Sequence, residues 1–264
     1  MTRRTFANSL SAVALFLAFA STAAAQDFQR TYNPGPGGSV VITNVSGDVN
    51  VAGHDAPGVT VTAFKEGADR DQVEVEDLSS GGRVELRAKY PRNCNCDASV
   101  RFEVRVPRSG VNIERISTAS GDISARDFAG DVKLQTASGE VTVESVSGEI
   151  SASSASGNVR VKEAAGTVNA STASGDVDVE LTRLQGQGDL RFSTASGNVS
   201  VRMPSTLDAN VSLSTASGSI ETNFPLEVRS SEHGPGKSAR GRLGSGSRNL
   251  RISSASGDVS LKSI

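Results

Sequence analysis

The 264-residue chain has no tryptophan, two cysteines, two histidines and eleven aromatic side chains, nine of them phenylalanine. Large aromatics supply much of the buried area of an ordinary domain of this size. Their scarcity excludes a thick core and leaves a thin one made of small residues, between sheets too close to admit aromatic rings. So few His and Cys leave little material for a metal centre or an acid–base pair. Lys and Arg number 27 against 29 Asp and Glu, a formal charge of −2, without the basic excess of a nucleic-acid surface. There is no H-E-x-x-H, no phosphate loop and no nucleophile elbow in a strand–turn–helix setting. Gly244-Ser245-Gly246-Ser247 fits a glycine-rich loop with no helix after it.

Long apolar runs are also lacking, with one exception at the start. Leu10–Ala20 is too short for a membrane span. With Arg3 and Arg4 before it and Ala23-Ala24-Ala25 after it, the run reads as a signal peptide over residues 1–25. Thr2-Arg3-Arg4-Thr5-Phe6 is similar to the twin-arginine export motif. The expectation is an exported protein, periplasmic or extracellular, whose mature chain begins near Gln26. Loss of Arg3 and Arg4 takes its formal charge from −2 to −4.

What the chain has in plenty is glycine, 27 residues, much of it in a fixed rhythm. Gly121, Gly130, Gly139, Gly148, Gly157, Gly166 and Gly175 follow one another at nine-residue steps. Two residues after each stands Ile or Val (Ile123, Val132, Val141, Ile150, Val159, Val168, Val177), and four after each stands Ala, Val or Leu. The position between is polar, which is the period-two alternation of a half-buried strand. Thr-Ala-Ser or Ser-Ala-Ser precedes every second glycine, so the repeating unit is 18 residues. No proline falls between Pro107 and Pro204, as central strands require. The pattern predicts an all-β, β-solenoid-like stack of 18-residue coils, each with two short strands and two glycine corners. Gly47, Gly197, Gly218 and Gly257 extend the corner set, the last three at steps of 22, 21 and 39 residues. The interval Gly234–Gly246 reads as a loop and hairpin. Residues 26–110 read as a less regular β cap, with strands near 59–63, 73–75, 84–86 and 100–106, and 111–264 as the repeat region. The two are read as one continuous domain.

These repeats resemble the bacterial putative-adhesin family of β-strand-repeat domains, a family of unknown function. Val104-Arg105-Val106-Pro107 before the repeats, Asn223-Phe224-Pro225 after Gly218 and Arg242-Leu243-Gly244-Ser245-Gly246 before the last strand add to the likeness. The resemblance implies a β-solenoid-like exported or envelope protein, acting as an adhesin or scaffold on proteins or glycans. No catalytic residue, cofactor or metal ligand emerges from the residues, and no nucleic-acid partner.

Three columns invite chemistry. An acid follows many corners (Asp48, Asp122, Asp131, Glu140, Glu149, Asp176, Asp258), which suggests a calcium roll. However, the roll pattern G-G-x-G-x-D-x-U-x places its acid two residues after the glycine, and Asn158, Thr167, Asn198 and Ser219 fill the same slot here. Backbone bonding by turn residues accounts for the column. The hydroxyls of Thr136, Ser154, Thr172, Thr194, Thr215 and Ser254 form a second column, read as stacked turn hydroxyls, with ice or glycan binding as the other reading. Outward charges (Arg126, Lys133, Glu144, Arg160, Lys162, Asp178, Glu180) read as a solvated face. Cys94 and Cys96 read as a structural disulfide in an oxidising compartment; a metal site with His54 or His233 and a redox role are the other readings. A polysaccharide-active β-helix enzyme is the rival class. Val259 and Leu261 are expected in a terminal strand whose free edge permits self-association.

Overall fold

A computed structural model describes residues 26–230 and 234–264. The signal segment read over 1–25, and His233, lie outside the described residues. The fold is all-β and β-solenoid-like; the one helical element among the described residues is a 3-10 turn at Arg70–Gln72.

The first seven strands are β1 (Phe28–Tyr32), β2 (Gly38–Thr43), β3 (Val49–His54), β4 (Val59–Glu66), β5 (Glu74–Asp77), β6 (Arg83–Lys89) and β7 (Ser99–Pro107). The regular middle follows: β8 (Val111–Ser120), β9 (Ile123–Arg126), β10 (Val132–Ser138), β11 (Val141–Glu144) and β12 (Ser147–Ser156). It continues through β13 (Val159–Ser174), β14 (Val177–Arg183), β15 (Leu190–Ser196) and β16 (Val199–Met203). The last six are β17 (Ala209–Ser217), β18 (Ile220–Thr222), β19 (Glu227–Ser230), β20 (Lys237–Leu243), β21 (Asn249–Ser256) and β22 (Val259–Ser263).

In the middle, like positions of successive repeats lie side by side. Val132 opposes Ile150, and Ile150 opposes Val168, all in parallel register. On the other side Ile123, Val141, Val159, Val177 and Val199 form a second row. Each step is one inter-strand spacing, about 4.8 Å. Val132 and Leu134 are buried while Lys133 and Gln135 are exposed, so the alternation seen in the sequence separates core from solvent. The core is one continuous cluster from Val40 to Leu261.

The coil differs from the two-corner expectation. Asp127, Ser145 and Glu163, none of them glycine, adopt φ of 65°, 53° and 51°. These left-handed residues turn the chain toward a short third segment whose buried members are Phe128, Val146 and Ala164. Gly148 and Gly166 then lie inside β12 and β13, and Gly130 lacks the positive φ of its counterparts. Asp visits the left-handed region more readily than most residues, and the Ser145 hydroxyl donates to Glu163 Oε2 of the next coil at 2.9 Å, so no glycine flagged this bend.

Aromatic rings do enter the core. Phe102 and Phe192 are fully buried. Each has an alanine as register neighbour, Ala63 beside Phe102 and Ala170 beside Phe192, and the small partner makes the room.

Chain order and stacking order part company at both ends. β2 lies between β6 and β8, and β3 between β7 and β9. Likewise β21 lies between β15 and β17, and β22 between β16 and β18. Antiparallel strands sit beyond, with β4 on β7, β1 on β4 and β5 on β6 at one end. At the other end β20 lies on β17 and β19 on β20; of this hairpin only β20 falls within the expected interval Gly234–Gly246, β19 preceding it. The terminal strand therefore has no free edge, which overturns self-association through it. Val199 N–H donates to the Asp258 carbonyl and Val259 N–H to the Ser219 carbonyl, each at 2.9 Å. Both sides of this segment are already paired.

Candidate functional site

The corner glycines stack carbonyl over Cα. A Cβ at Gly157 would collide with the Gly139 carbonyl oxygen, and one at Gly175 with that of Gly157. This close approach, with φ of 143° at Gly157, admits no side chain. It also brings each glycine carbonyl within reach of a hydroxyl on the following coil. Thr136 Oγ1 donates to Gly121 O (3.1 Å), Ser154 Oγ to Gly139 O (2.9 Å) and Thr172 Oγ1 to Gly157 O (2.8 Å). Thr194, Ser254 and Thr215 repeat the bond to Gly175, Gly197 and Gly257. These hydroxyls are buried and bond carbonyls rather than one another. The column faces inward, away from any ice or glycan.

The acid column is equally occupied. The Glu140 amide donates to Asp122 Oδ1 (2.7 Å), the Asn198 amide to Asp176 Oδ1 (2.8 Å) and the Ser219 amide to Asp258 Oδ1 (2.7 Å). Asn158 and Asn198 accept in the same way, so a neutral amide serves as well as a carboxylate. The backbone N–H of Ser219, with its hydroxyl, holds the Asp258 carboxyl below the usual range. Among the described residues no cluster of three His, Cys, Asp or Glu side chains is placed to hold a metal. Cys94 and Cys96 are joined as a disulfide with Cα atoms 5.1 Å apart, in a loop where Asn93 takes φ of 58°. His54 Nε2 lies 3.1 Å from the Gly58 carbonyl, apart from the cysteines.

The two broad outer faces differ in charge. On the β9–β11–β13 side, Arg126, Glu144 and Lys162 alternate in register, and Arg202 pairs with Glu180 at 2.8 Å. Glu140 forms an ion pair with Arg160. On the opposite side, β12, β13, β15, β21 and β17 carry a row of Ser151, Asn169, Arg191, Arg251 and Ser212. Arg191 and Arg251 are direct register neighbours, both exposed. Among the described residues neither has a carboxylate within 4 Å. Like charges side by side on a sheet are destabilising, and nothing in the fold requires this pair.

The arginines line a groove of about 830 Å³, with Asn169, Asn210, Ser212 and Asn249. Glu149, Thr167 and Asp189 form its rim toward the bend. The Asn249 amide donates to Asp189 Oδ1 (2.9 Å) and its side chain to both carboxylate oxygens (3.1 Å). Those bonds, with the nearby Arg191 charge, lower the Asp189 pKa. The groove thus presents paired cations beside fixed acceptors and no aromatic ring. It opens to solvent, and Leu190, Val211 and Leu250 line it together with the polar side chains.

Sequence reasoning passed over both arginines. Alignment on the Thr-Ala-Ser-Gly corner places Lys133, Ser151, Asn169, Arg191, Ser212 and Arg251 in one slot, but only the insertion of β21 beside β15 makes two of them neighbours. The same alignment exposes a second anomaly. Where other repeats have Gly130, Gly148, Gly166, Gly188 and Ala209, the last has Arg248. Its side chain is 8% exposed; Nη2 donates to the Gly186 carbonyl at 2.7 Å. Nε and Nη1 are without a partner among the described residues.

Such a chain is an all-β repeat protein with a filled interior and polar outer faces. The family model described as Toastrack DUF4097 matches residues 71–262, nearly three quarters of the chain, and the protein belongs to that family. It is similar to solved structures of a putative cell adhesion protein from Clostridium sporogenes ATCC 15579 and a putative adhesin from Bacteroides fragilis NCTC 9343. The first is 11% identical over 90% of this chain and 99% of the other, with a TM-score of 0.38. The second is 14% identical over 90% and 96%, with a TM-score of 0.34. A putative adhesin from Parabacteroides distasonis ATCC 8503 is 11% identical over 90% and 96%, with a TM-score of 0.35. Among proteins of curated function none matches.

Proposed function

We propose that the protein is a non-enzymatic, exported envelope or surface scaffold that contacts proteins or glycans through the outer faces of its repeat stack. The observation that carries this reading is the groove of about 830 Å³ around Arg191 and Arg251, a built polar surface above a sealed core. Family membership agrees with it. Residues 1–25 are the export signal in this reading, by the twin-arginine route or the general one, leading to the periplasm or the cell surface. Residues 26–110 and 111–264 form one continuous domain whose unit is the 18-residue coil. The glycine corners Gly47, Gly121, Gly139, Gly157, Gly175, Gly197, Gly257 and Gly218 serve spacing, and the Cys94–Cys96 bridge is structural.

The test is cross-linking in native cells followed by fractionation and identification of the attached molecules. Envelope proteins or glycans on the mature chain are the expected result; an unattached chain in the cytoplasm would overturn the reading. A calcium roll receives less support, because backbone amides already occupy Asp122, Asp176 and Asp258. Melting with and without calcium separates the two, since a ligand that binds only the folded state raises Tm.

A further inference from the structure

We propose that the Arg191–Arg251 groove binds an acidic polysaccharide, with a sugar carboxylate held between the two guanidinium groups. The inference rests on the surface-contact reading above and gives it a ligand class. Three observations carry it. First, two exposed arginines stand in direct register, about 4.8 Å apart along the sheet, with no carboxylate within 4 Å of either among the described residues. An anion placed between them removes their repulsion and gains charge-assisted hydrogen bonds from both. Second, the groove is not uniformly basic. Glu149 and Asp189 share it with Asn169 and Asn249, so it offers acceptors for hydroxyl donors close to the cations. A uronic-acid unit carries both an anion and hydroxyls. A nucleic acid, also charged at every step, brings few hydroxyls to those acceptors, and the hydroxyls are what separate the two ligands. Third, the groove crosses the strands of β13, β15, β21 and β17, and Arg240 on β20 continues the arginine row beyond Ser212. A linear chain lying across the strands meets polar side chains at each step.

No aromatic platform lines the groove, so charge rather than ring stacking supplies the affinity. Binding is therefore expected to weaken as salt shortens the screening length from about 10 Å at 0.1 M to about 3 Å at 1 M.

The experiment is calorimetric titration of the full mature chain with polygalacturonate, with uncharged dextran and with single-stranded DNA as separate arms. The comparison is R191S/R251S, since serine fills this slot in neighbouring repeats at Ser151 and Ser212. The expected results are binding to polygalacturonate alone, at least tenfold weaker in R191S/R251S, with Tm unchanged or raised by loss of the like-charge contact. Equal binding by R191S/R251S, equal binding of dextran or tighter binding of DNA would overturn the proposal. Absence of polygalacturonate binding would overturn it too. If in-cell cross-links survive in R191S/R251S under that last outcome, the surface reading stands and the ligand class alone fails. Should R191S/R251S fold poorly, R251S alone supplies the same comparison.

Discussion

The middle of the stack and its two ends solve the same problem differently. From β8 to β16 each coil lies on the one before it, and the buried hydroxyl column repeats every 18 residues from Thr136 to Thr172 before a 22-residue step to Thr194. At the ends the chain doubles back. Residues 38–54 slot in beside residues 111–126, and on their other side lie strands 44 (Ser39 to Arg83) and 53 (Val49 to Phe102) residues later in sequence. Residues 249–263 slot between the coils of β15/β16 and β17/β18. The middle is held by repetition, with register shifts only where β10 meets β8 and β14 meets β13; the ends are held by insertion, which couples distant residues. Solenoids need terminal caps, and here the coils of β2/β3 and β21/β22 are interior, while β1, β4 and β5 at one end and β18, β19 and β20 at the other take the outer places.

The largest effect should come from breaking repetition. Gly157→Ala adds backbone strain and a collision with the Gly139 carbonyl, an expected loss of about 4 kcal/mol from the two together. Gly110→Ala, at φ of 86° with nothing near its Cβ, should lose about 1 kcal/mol. Denaturant unfolding of both checks the contrast. Leu261→Ala attacks insertion instead. Leu261 is fully buried beside Val201, and about 3 kcal/mol should go with it. Amide exchange should quicken in β16 and β18, on either side of β22, and stay slow in β9.

A smaller effect, of the opposite sign, is expected at Arg248. A buried guanidinium with two unpartnered nitrogens costs more than it returns, so Arg248→Met should raise stability by about 1 kcal/mol, read as a higher Tm. An effect confined to acid pH belongs to the N-terminal end. Burial favours the neutral Asp77 acid, but the Ser79 hydroxyl and amide, with Arg30 and Tyr32, outweigh it and hold its pKa at about 2. An unfolded Asp titrates near 3.9. The contribution is therefore complete above about pH 4 and is lost as pH falls through about 2. Asp77→Asn should flatten the acid limb of a stability-against-pH curve in that window.

The all-β class and the 18-residue register were legible because they are periodic, and period is what a sequence displays; Gly130, Gly148 and Gly166 share the period without being strand-ending corners of the expected kind. The left-handed bend at Asp127, Ser145 and Glu163 was not, because no glycine marks it. The inward turn of Thr172 and its column was hidden for a different reason. Adjacency to a corner looks solvent-facing until the glycine carbonyl it serves is placed behind it. The Arg191–Arg251 pair was beyond reach, since sixty residues separate partners that only the inserted last coil makes neighbours. Arg248 was legible in principle as the one large residue in a slot of glycines and an alanine, and Leu261 likewise looked terminal because it is last in sequence.

Engineered cysteine pairs test the insertion most directly. Ser260 on β22 has Ser200 of β16 on one side and Glu221 of β18 on the other. Disulfides form when Cα atoms lie within about 7 Å, which one strand spacing allows and two do not. Under mild oxidation S200C/S260C and E221C/S260C should cross-link while S200C/E221C should not. Ready closure of S200C/E221C, with S200C/S260C left open, would mean that the coils stack in chain order and that the last one is not inserted.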